Sequence, residues 1–375
     1  MNVAMVGGGF MGKAHAIAYA AMPMYFWPAP AIPVRATLVE ATNERAADAA
    51  QQLGFAHWSS DWRSVIDDPQ IDVVDIVTPN DLHEEMVIAA AQAGKHIICE
   101  KPLSLNASSA RRMLEAAEAA GITHATAFNF RRIPAVVFAR QLIDEGAIGD
   151  VLDFRGTYLQ DWSADPTFPA TWRFDKSRAG SGAIGDIGSH VIDFARYLVG
   201  EVRQVHAVSS TYIPERPDPE SPAGALLRVD VDDWASIQLE FETGQRGSIE
   251  VSRLAHGRNN LLGFEVHGTR GTLVFDYEHR DQLKVALADD GARMSGFRTI
   301  NTGPAHPYGH ALWPGPALGN GYAESKIIEC FEFFTALTEG RPADPSFVDG
   351  YRTAAIVDAI IASTEARAWV EVDSS

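Results

Sequence analysis

Val3-Ala4-Met5-Val6-Gly7-Gly8-Gly9-Phe10-Met11-Gly12 sets an apolar strand directly before a glycine turn and the start of a helix. Gly7, Gly9 and Gly12 satisfy the G-x-G-x-x-G spacing in the strand–turn–helix context that gives the spacing its meaning. The first glycine permits the tight turn, the second lets backbone approach a pyrophosphate, and the third lets helix and strand pack closely. The helix N-terminus presents unpaired N–H groups and the positive end of its dipole to phosphate. The stretch predicts a Rossmann-type doubly wound parallel sheet, with Gly7, Gly9, Phe10, Met11 and Gly12 at the cofactor.

Alternation of strands and helices continues through residue 128, the mark of a parallel α/β sheet. Ala36–Glu40 reads as a second strand, and Val73–Val77 is apolar enough to be covered on both faces. Helices are expected at about Gly12–Ala20, at Glu44–Leu53, from an Asp81/Glu84 capping box to Gly94, and from an Asn106 cap to Gly121. His124–Phe128 closes the sheet. Glu40 ends the second strand, 28 residues after Gly12 instead of about 20, the excess being the Pro/aromatic insertion Met22–Pro33. A carboxylate there accepts from a ribose 2′-OH and repels a 2′-phosphate, so NAD is expected over NADP, with Arg45 close enough in sequence to temper that preference. Thr78-Pro79-Asn80, His83 and Glu100-Lys101-Pro102 fall at the same carboxyl edge, so Thr78, Asn80, His83, Glu100 and Lys101 are expected to line the cofactor. Read alone, Glu-Lys-Pro is a common surface tripeptide. Here a strand delivers Lys101 to a nucleotide-binding edge and Pro102 stops the ladder.

The 375 residues point to two domains, expected at 1–128 and 129–375. A formal charge of -18 argues against nucleic acid or an anionic membrane as partner. Met1-Asn2 runs straight into the first strand, leaving no room for a leader, and four prolines in Ala21–Val34 exclude a spanning helix there. Cys99 and Cys330 lack metal-ligand spacing and read as core thiols of a cytoplasmic protein, with no metal expected.

Beyond residue 130 the period changes. Arg131–Glu145 reads as one more helix, after which Val151–Leu159, Val205–Ile213, Ala235–Phe241, Ser248–Leu254, Gly263–His267 and Thr272–Asp276 alternate apolar and polar positions. The C-terminal part is therefore expected to be an α+β domain around a large, mainly antiparallel sheet. Two loops interrupt it, Pro214–Gly224 and Gly303–Gly321. The second carries His306, Tyr308, His310 and Trp313 and reads as a lid. Helices at Tyr322–Glu339 and Phe347–Arg367 end the chain.

In Gly180–His190, Asp186 and His190 are four apart, which on a helix places them on one face. A carboxylate can then orient the imidazole and leave its second nitrogen free for a proton. A buried, satisfied His–Asp pair has the same spacing, and a metal site lacks a third ligand nearby. The fingerprint, Thr78-Pro79-Asn80, Glu100-Lys101-Pro102 and Asp186-x-x-x-His190 followed by Asp193 together resemble the Gfo/Idh/MocA (glucose–fructose oxidoreductase / inositol dehydrogenase) family across the chain. The resemblance implies a Rossmann domain joined to an open-sheet domain that often serves homo-oligomerisation, and a catalytic set of Lys101, Asp186 and His190. It also implies oxidation of a ring secondary hydroxyl of a sugar or polyol to a ketone with NAD. Thr157–Trp162, Trp172-Arg173 and His306-Pro307-Tyr308 are similar to a branch acting on an anhydrosugar such as levoglucosan; inositols and aldoses are the alternatives. The substrate is then expected to meet Lys101, Asn129, Gln160, Trp172, Arg173, Asp186, His190, His306 and Tyr308. A different class, a sugar- and NAD-sensing regulator without turnover, would share the fold but has no need of the three catalytic groups.

Overall fold

The alternating N-terminal pattern folds in the computed structural model into six parallel strands, β1 (Asn2–Val6), β2 (Val34–Val39), β3 (His57–Ser59), β4 (Val73–Ile76), β5 (His96–Cys99) and β6 (His124–Thr126), ordered β3-β2-β1-β4-β5-β6. Residues 1–221, 224–291 and 293–373 are described. Strand order reverses between β1 and β4, the topological switch point at which open α/β sheets bind ligands. Every residue of β4 is buried, as its apolar run requires.

Local chemistry sets both ends of two helices of this unit. Thr42 Oγ1 accepts from the Arg45 N–H at the start of Asn43–Leu53, and Asn106 Oδ1 accepts from the Ser109 N–H at the start of Ala107–Ala120. Gly54 and Gly121 end these helices in the left-handed region. Three expectations are corrected. The first helix runs Phe10–Tyr25, past the expected end at Ala20, and carries Pro23 in its last turn, only two residues before the helix ends. The N-cap of the helix is Leu82 in place of Asp81: a 3-10 turn, Asn80–Leu82, leads straight into His83–Gln92, and Glu84 accepts from Ser109 Oγ. Arg131–Glu145 is broken into a 3-10 turn, Asn129–Arg132, and a helix, Pro134–Asp144, because the residue before a proline is driven out of the helical region.

The chain divides into two units, Met1–Arg132 with Asn320–Tyr351, and Ile133–Gly319 with Arg352–Ser375. A division at 128/129 therefore leaves out a returning segment. The helix Tyr322–Glu339 packs along Phe10–Tyr25, with Phe26 stacked on Phe331 at 3.9 Å and Tyr19 edge-on to Phe334. Between these helices and the sheet lies an ionic network. His15 Nδ1 is 2.9 Å from Asp75 Oδ2, which also accepts from Tyr19 OH, and His15 Nε2 is 3.0 Å from Glu100 Oε1. Lys326 Nζ donates to Glu100 Oε1 at 2.7 Å and to Glu329 Oε2 at 2.9 Å. Burial alone would lower the His15 pKa, but the Asp75 and Glu100 carboxylates together outweigh burial and the Lys326 cation and raise it to about 9.

In the second unit, β7 (Val151–Leu159), β8 (Val202–Ser210), β11 (Trp234–Phe241), β12 (Arg246–Ser252), β13 (Leu261–Gly268), β14 (Gly271–Asp276), β15 (Gln282–Leu287), β16 (Arg298–Asn301) and β17 (Val370–Glu371) form one mixed sheet. Its order is β16-β15-β14-β13-β7-β12-β11-β8-β17, antiparallel throughout except between β7 and β12. The expected loop 214–224 is partly a ribbon, β9 (Glu215–Pro217) pairing β10 (Leu226–Arg228), with 222 and 223 outside the described residues. The helix Gly188–Leu198 lies on β7, β12 and β13, with Phe194 edge-on to Phe264 and Phe275. Gly156 on β7 permits this approach, since a Cβ there would lie 2.3 Å from Val191 Cγ1.

Two outcomes follow. Gly156→Ala should lose about 1–3 kcal/mol of stability by overpacking, read by thermal unfolding; an unchanged Tm would contradict the close packing. For His15 the folded pKa of about 9 lies above the ordinary 6.5, so its stabilisation is complete below pH 6.5 and lost as pH rises through about 9. Unfolding of wild type between pH 6 and 9.5 should therefore show a loss on the order of 1–3 kcal/mol that His15→Gln does not. Parallel pH curves for the two proteins would contradict it.

Candidate active site

At the glycine turn of the first unit, Gly7 has φ +111°, and a Cβ on it would lie 2.7 Å from the Val77 carbonyl. A Cβ on Gly12 would lie 2.4 Å from the Gly7 carbonyl, so neither position tolerates a side chain. Nothing lies within 4 Å of a Cβ on Gly9, which leaves the turn open where a pyrophosphate approaches. The helix that follows carries no side-chain cap. This open cradle before an uncapped helix fits a dinucleotide phosphate. Glu40 Oε1 accepts from the Gly8 N–H at 2.8 Å, which locks the acid of β2 to the turn, and Oε2 pairs with Arg45 at 3.1 Å. Phe10 is exposed and tilts against Tyr322 at 5.8 Å, and Met11 Sδ accepts from Tyr322 OH at 3.3 Å.

At the other loops of this edge, Thr78 Oγ1 faces Met86 Sδ at 4.0 Å and Asn80 is buried. His83 is fully buried, its ring nitrogens 3.0 Å from the Thr78 carbonyl and 3.2 Å from the Leu103 carbonyl, and burial pushes its pKa below the ordinary value. The geometry makes it a brace between the β4 and β5 loops. Glu100 also turns inward: His15 and Lys326 hold Oε1, and Oε2 accepts from the Lys101 N–H at 3.0 Å. Burial favours the neutral acid, but Lys326 and then His15 outweigh it and hold the carboxyl well below the usual carboxylate range. Both residues were expected at the cofactor, and the structure gives each a supporting contact inside its own unit. Lys101 stands half-exposed at the head of the turn, before a cis peptide to Pro102. Asn129 is buried and donates to Ser325 Oγ at 2.8 Å.

In the second unit, Asp186 ends a short helical turn, Ala183–Asp186, and His190 lies in the first turn of Gly188–Leu198. The helical ladder is interrupted at Ile187, whose backbone stays in the right-handed helical region, so the expected single helix is two short ones meeting there. Asp232 holds the preceding glycine stretch, its two oxygens accepting from the Gly182 and Ile184 N–H groups at 2.8 Å each. The Asp232 carbonyl in turn accepts from Arg253 Nη2 at 2.9 Å, and Arg253 Nη1 donates to the Arg173 carbonyl at 3.3 Å. Arg216 donates to the carbonyls of Ser163 and Asp165, and both buried guanidiniums lie over Phe174. Arg253 thus ties the loop carrying Trp172 and Arg173, through Asp232, to the segment carrying Asp186, while Arg216 braces residues 163–168 of the same loop.

Arg173 covers the Trp172 ring at 4.4 Å and places Nε 3.8 Å from Asp186 Oδ2. Tyr158 lies 6.0 Å from the His190 ring, and its hydroxyl donates to Asn260 Oδ1, which Gln160 Nε2 also reaches at 2.6 Å. Tyr158, Asn260 and Gln160 therefore form a hydrogen-bonded cluster beside the His190 ring, and Asp186, Arg173 and Trp172 a second group. His306 accepts from the Gly303 N–H and sets its ring edge-on to Phe138, while Tyr308 has φ +59°. The loop Gly303–Gly321 contains a short helix, Gly309–Leu312. Sequence reasoning missed Tyr322 and Lys326 in the first unit and Asp232, Arg253 and Asn260 in the second, because each meets the expected residues of its own unit only by tertiary contact. A charged residue on an apolar face was the available signal for Lys326.

The oxidoreductase-family model with an NAD-binding Rossmann fold matches residues 1–128, and the GFO/IDH/MocA C-terminal domain model matches 136–274. A levoglucosan dehydrogenase of Pseudarthrobacter phenanthrenivorans is 58% identical over 382 residues, covering 99% of this chain and 98% of the relative. A solved levoglucosan dehydrogenase in complex with NADH and levoglucosan is 59% identical with a TM-score of 0.97, covering 100% of this chain and 99% of that one. An oxidoreductase domain protein from Kribbella flavida is 38% identical with a TM-score of 0.95, covering 99% and 98%. The chain is a member of the GFO/IDH/MocA oxidoreductase family, with an NAD-binding Rossmann domain.

Proposed function

We propose that this chain is an NAD-dependent dehydrogenase that oxidises a ring secondary hydroxyl of levoglucosan to the 3-keto sugar. The observation that carries the reading is end-to-end similarity to a levoglucosan dehydrogenase in a chain that also holds Lys101, Asp186, His190 and the Trp172/Arg173 loop. An indole beside hydrogen-bonding side chains suits an anhydrosugar, which offers C–H groups on its faces and hydroxyls at its edge.

When bound, NAD supplies the hydride acceptor. The chain's own groups handle the proton. In this reading His190 takes the hydroxyl proton, Asp186 orients the imidazole and stabilises its charged form, and Lys101 donates to the oxygen as negative charge develops there. Gln160, Arg173 and Trp172 orient the ring, with Asn129, His306 and Tyr308 as further substrate-side positions. Glu40 selects NAD by accepting from the ribose diol, and its ion pair with Arg45 keeps a cation beside it.

The same reading has the protein working as a cytoplasmic homo-oligomer built through the C-terminal sheet. Support comes from the free buried thiols Cys99 and Cys330, and from the polar sheet face bearing Arg155, Gln238, Arg246 and Glu250. Among the described residues no helix is long and apolar enough to cross a membrane. Light scattering that returns a monomer mass would remove the oligomer.

Absorbance at 340 nm should rise with NAD⁺ and levoglucosan well above the rise with myo-inositol, glucose or xylose; a preference for any of these three would replace the substrate. His190→Ala and Lys101→Ala should each lower kcat roughly 10²–10⁴-fold with NADH binding retained. The double variant should be no worse than the weaker single by more than about tenfold, as for groups acting on one oxygen. Fully multiplicative losses would separate them. Glu40→Ser should raise the NADP⁺/NAD⁺ ratio of kcat/KM roughly tenfold, about 1.4 kcal/mol, because Arg45 is then free to meet a 2′-phosphate.

A further inference from the structure

The buried network of the first unit has no place in the chemistry above, yet it is built from five ionisable side chains, His15, Asp75, Glu100, Lys326 and Glu329, all less than a tenth exposed. Removing charges from water is costly, and apolar residues of similar volume commonly give equal or greater stability. Stability alone does not account for such a cluster. Its connections do suggest a role. The helix Tyr322–Glu339 contributes Lys326, the first helix contributes His15, and β4 contributes Asp75; all three lead to Glu100 at the end of β5. Glu100 has one oxygen between two cations and the other on the backbone N–H of Lys101.

We propose that Lys326 is a positioning residue for the reaction: with His15 it clamps the Glu100 carboxylate, and Glu100 fixes the backbone from which the Lys101 ammonium projects. The inference rests on the assignment of Lys101 to the chemistry and deepens it. A carboxylate that bridges two cations on one side cannot rotate away from the N–H on the other without leaving a buried charge unpaired, which costs several kcal/mol. The turn is thereby held to one rotamer of Glu100, and Lys101 is presented from a fixed point. Displacement of a catalytic group by about 1 Å lowers rate on the order of 10²-fold. The cofactor cradle at Gly7–Gly12 and Glu40 makes none of these hydrogen bonds, so NADH affinity is separable from the effect.

The test uses the full-length enzyme with two variants. Lys326→Met removes one cation from the clamp. Glu100→Asp keeps the charge but shortens the reach to the Lys101 N–H, and it carries the test where Lys326→Met does not fold. Active sites are counted by NADH fluorescence titration, and kcat with levoglucosan is expressed per NADH-binding site well below each Tm. The expected result is a kcat roughly 10–100-fold lower with the NADH Kd within about threefold of wild type. Wild-type kcat per site in Glu100→Asp, whatever its Tm, overturns the proposal, as does an equal loss of kcat and NADH affinity. Lys101→Ala is run beside them. If it retains wild-type kcat, the assignment of Lys101 fails; if it is inactive while the other two are normal, only the positioning role of Lys326 and Glu100 fails.

Discussion

Glu100 sits at the end of β5 with one oxygen shared by His15 and Lys326 and the other on the N–H that starts the Glu-Lys-Pro turn. Much of the first unit is arranged around keeping that carboxylate ionised in a dry interior. Asp75, placed in a strand covered on both faces, keeps His15 charged; Glu329, one helical turn from Lys326, accepts from its ammonium. Tyr19 gives Asp75 a further donor. His15 with Asp75, and Glu100 with His15 and Lys326, pair across different elements, so the first helix, β4, the end of β5 and the helix Tyr322–Glu339 cannot shift independently without exposing an unpaired charge.

The second unit meets an analogous demand with arginine and backbone carbonyls. Arg216 and Arg253, fully buried, lie over Phe174 and donate into the loop that carries Arg173, while Asp232 caps the glycine-rich approach to Asp186. Planar guanidiniums suit this work because one side chain serves several carbonyls at once and stacks on a ring as it does so. Glycine plays the complementary part. At Gly182 an added Cβ would lie 1.8 Å from the Asp232 carbonyl, so the segment can pass against its support only without a side chain.

Much of the fold is legible in the sequence. The G-x-G-x-x-G turn, the alternation up to residue 128 and the period-two strands beyond it arise from local geometry, and local geometry is written in adjacent residues. The caps at Asn106 and Gly121 belong to the same class. Reading failed where two signals competed. Pro134 split an apparent helix, Pro23 did not end one, and the spacing of Asp186 and His190 implied a continuous helix that Ile187 interrupts. Short edge strands such as His57–Ser59 carry too few residues to show a period. Asp75 was the clearest unused clue, since a carboxylate in a strand buried on both faces requires a charged or donating partner there.

What the sequence by itself determined is the class of fold, the position of the glycine turn after β1, the acid at the end of β2 and the identity of the family. Each depends on spacings within a few residues or on motifs that need no partner. The tertiary structure alone decided that Glu100 and His83 face inward, that residues 320–351 return to the first unit, and that Lys326 meets Glu100 across 226 positions. Such pairings are set by which side chains the packed helices and sheet bring together, and a buried charge is satisfied by proximity in space, whatever the distance along the chain.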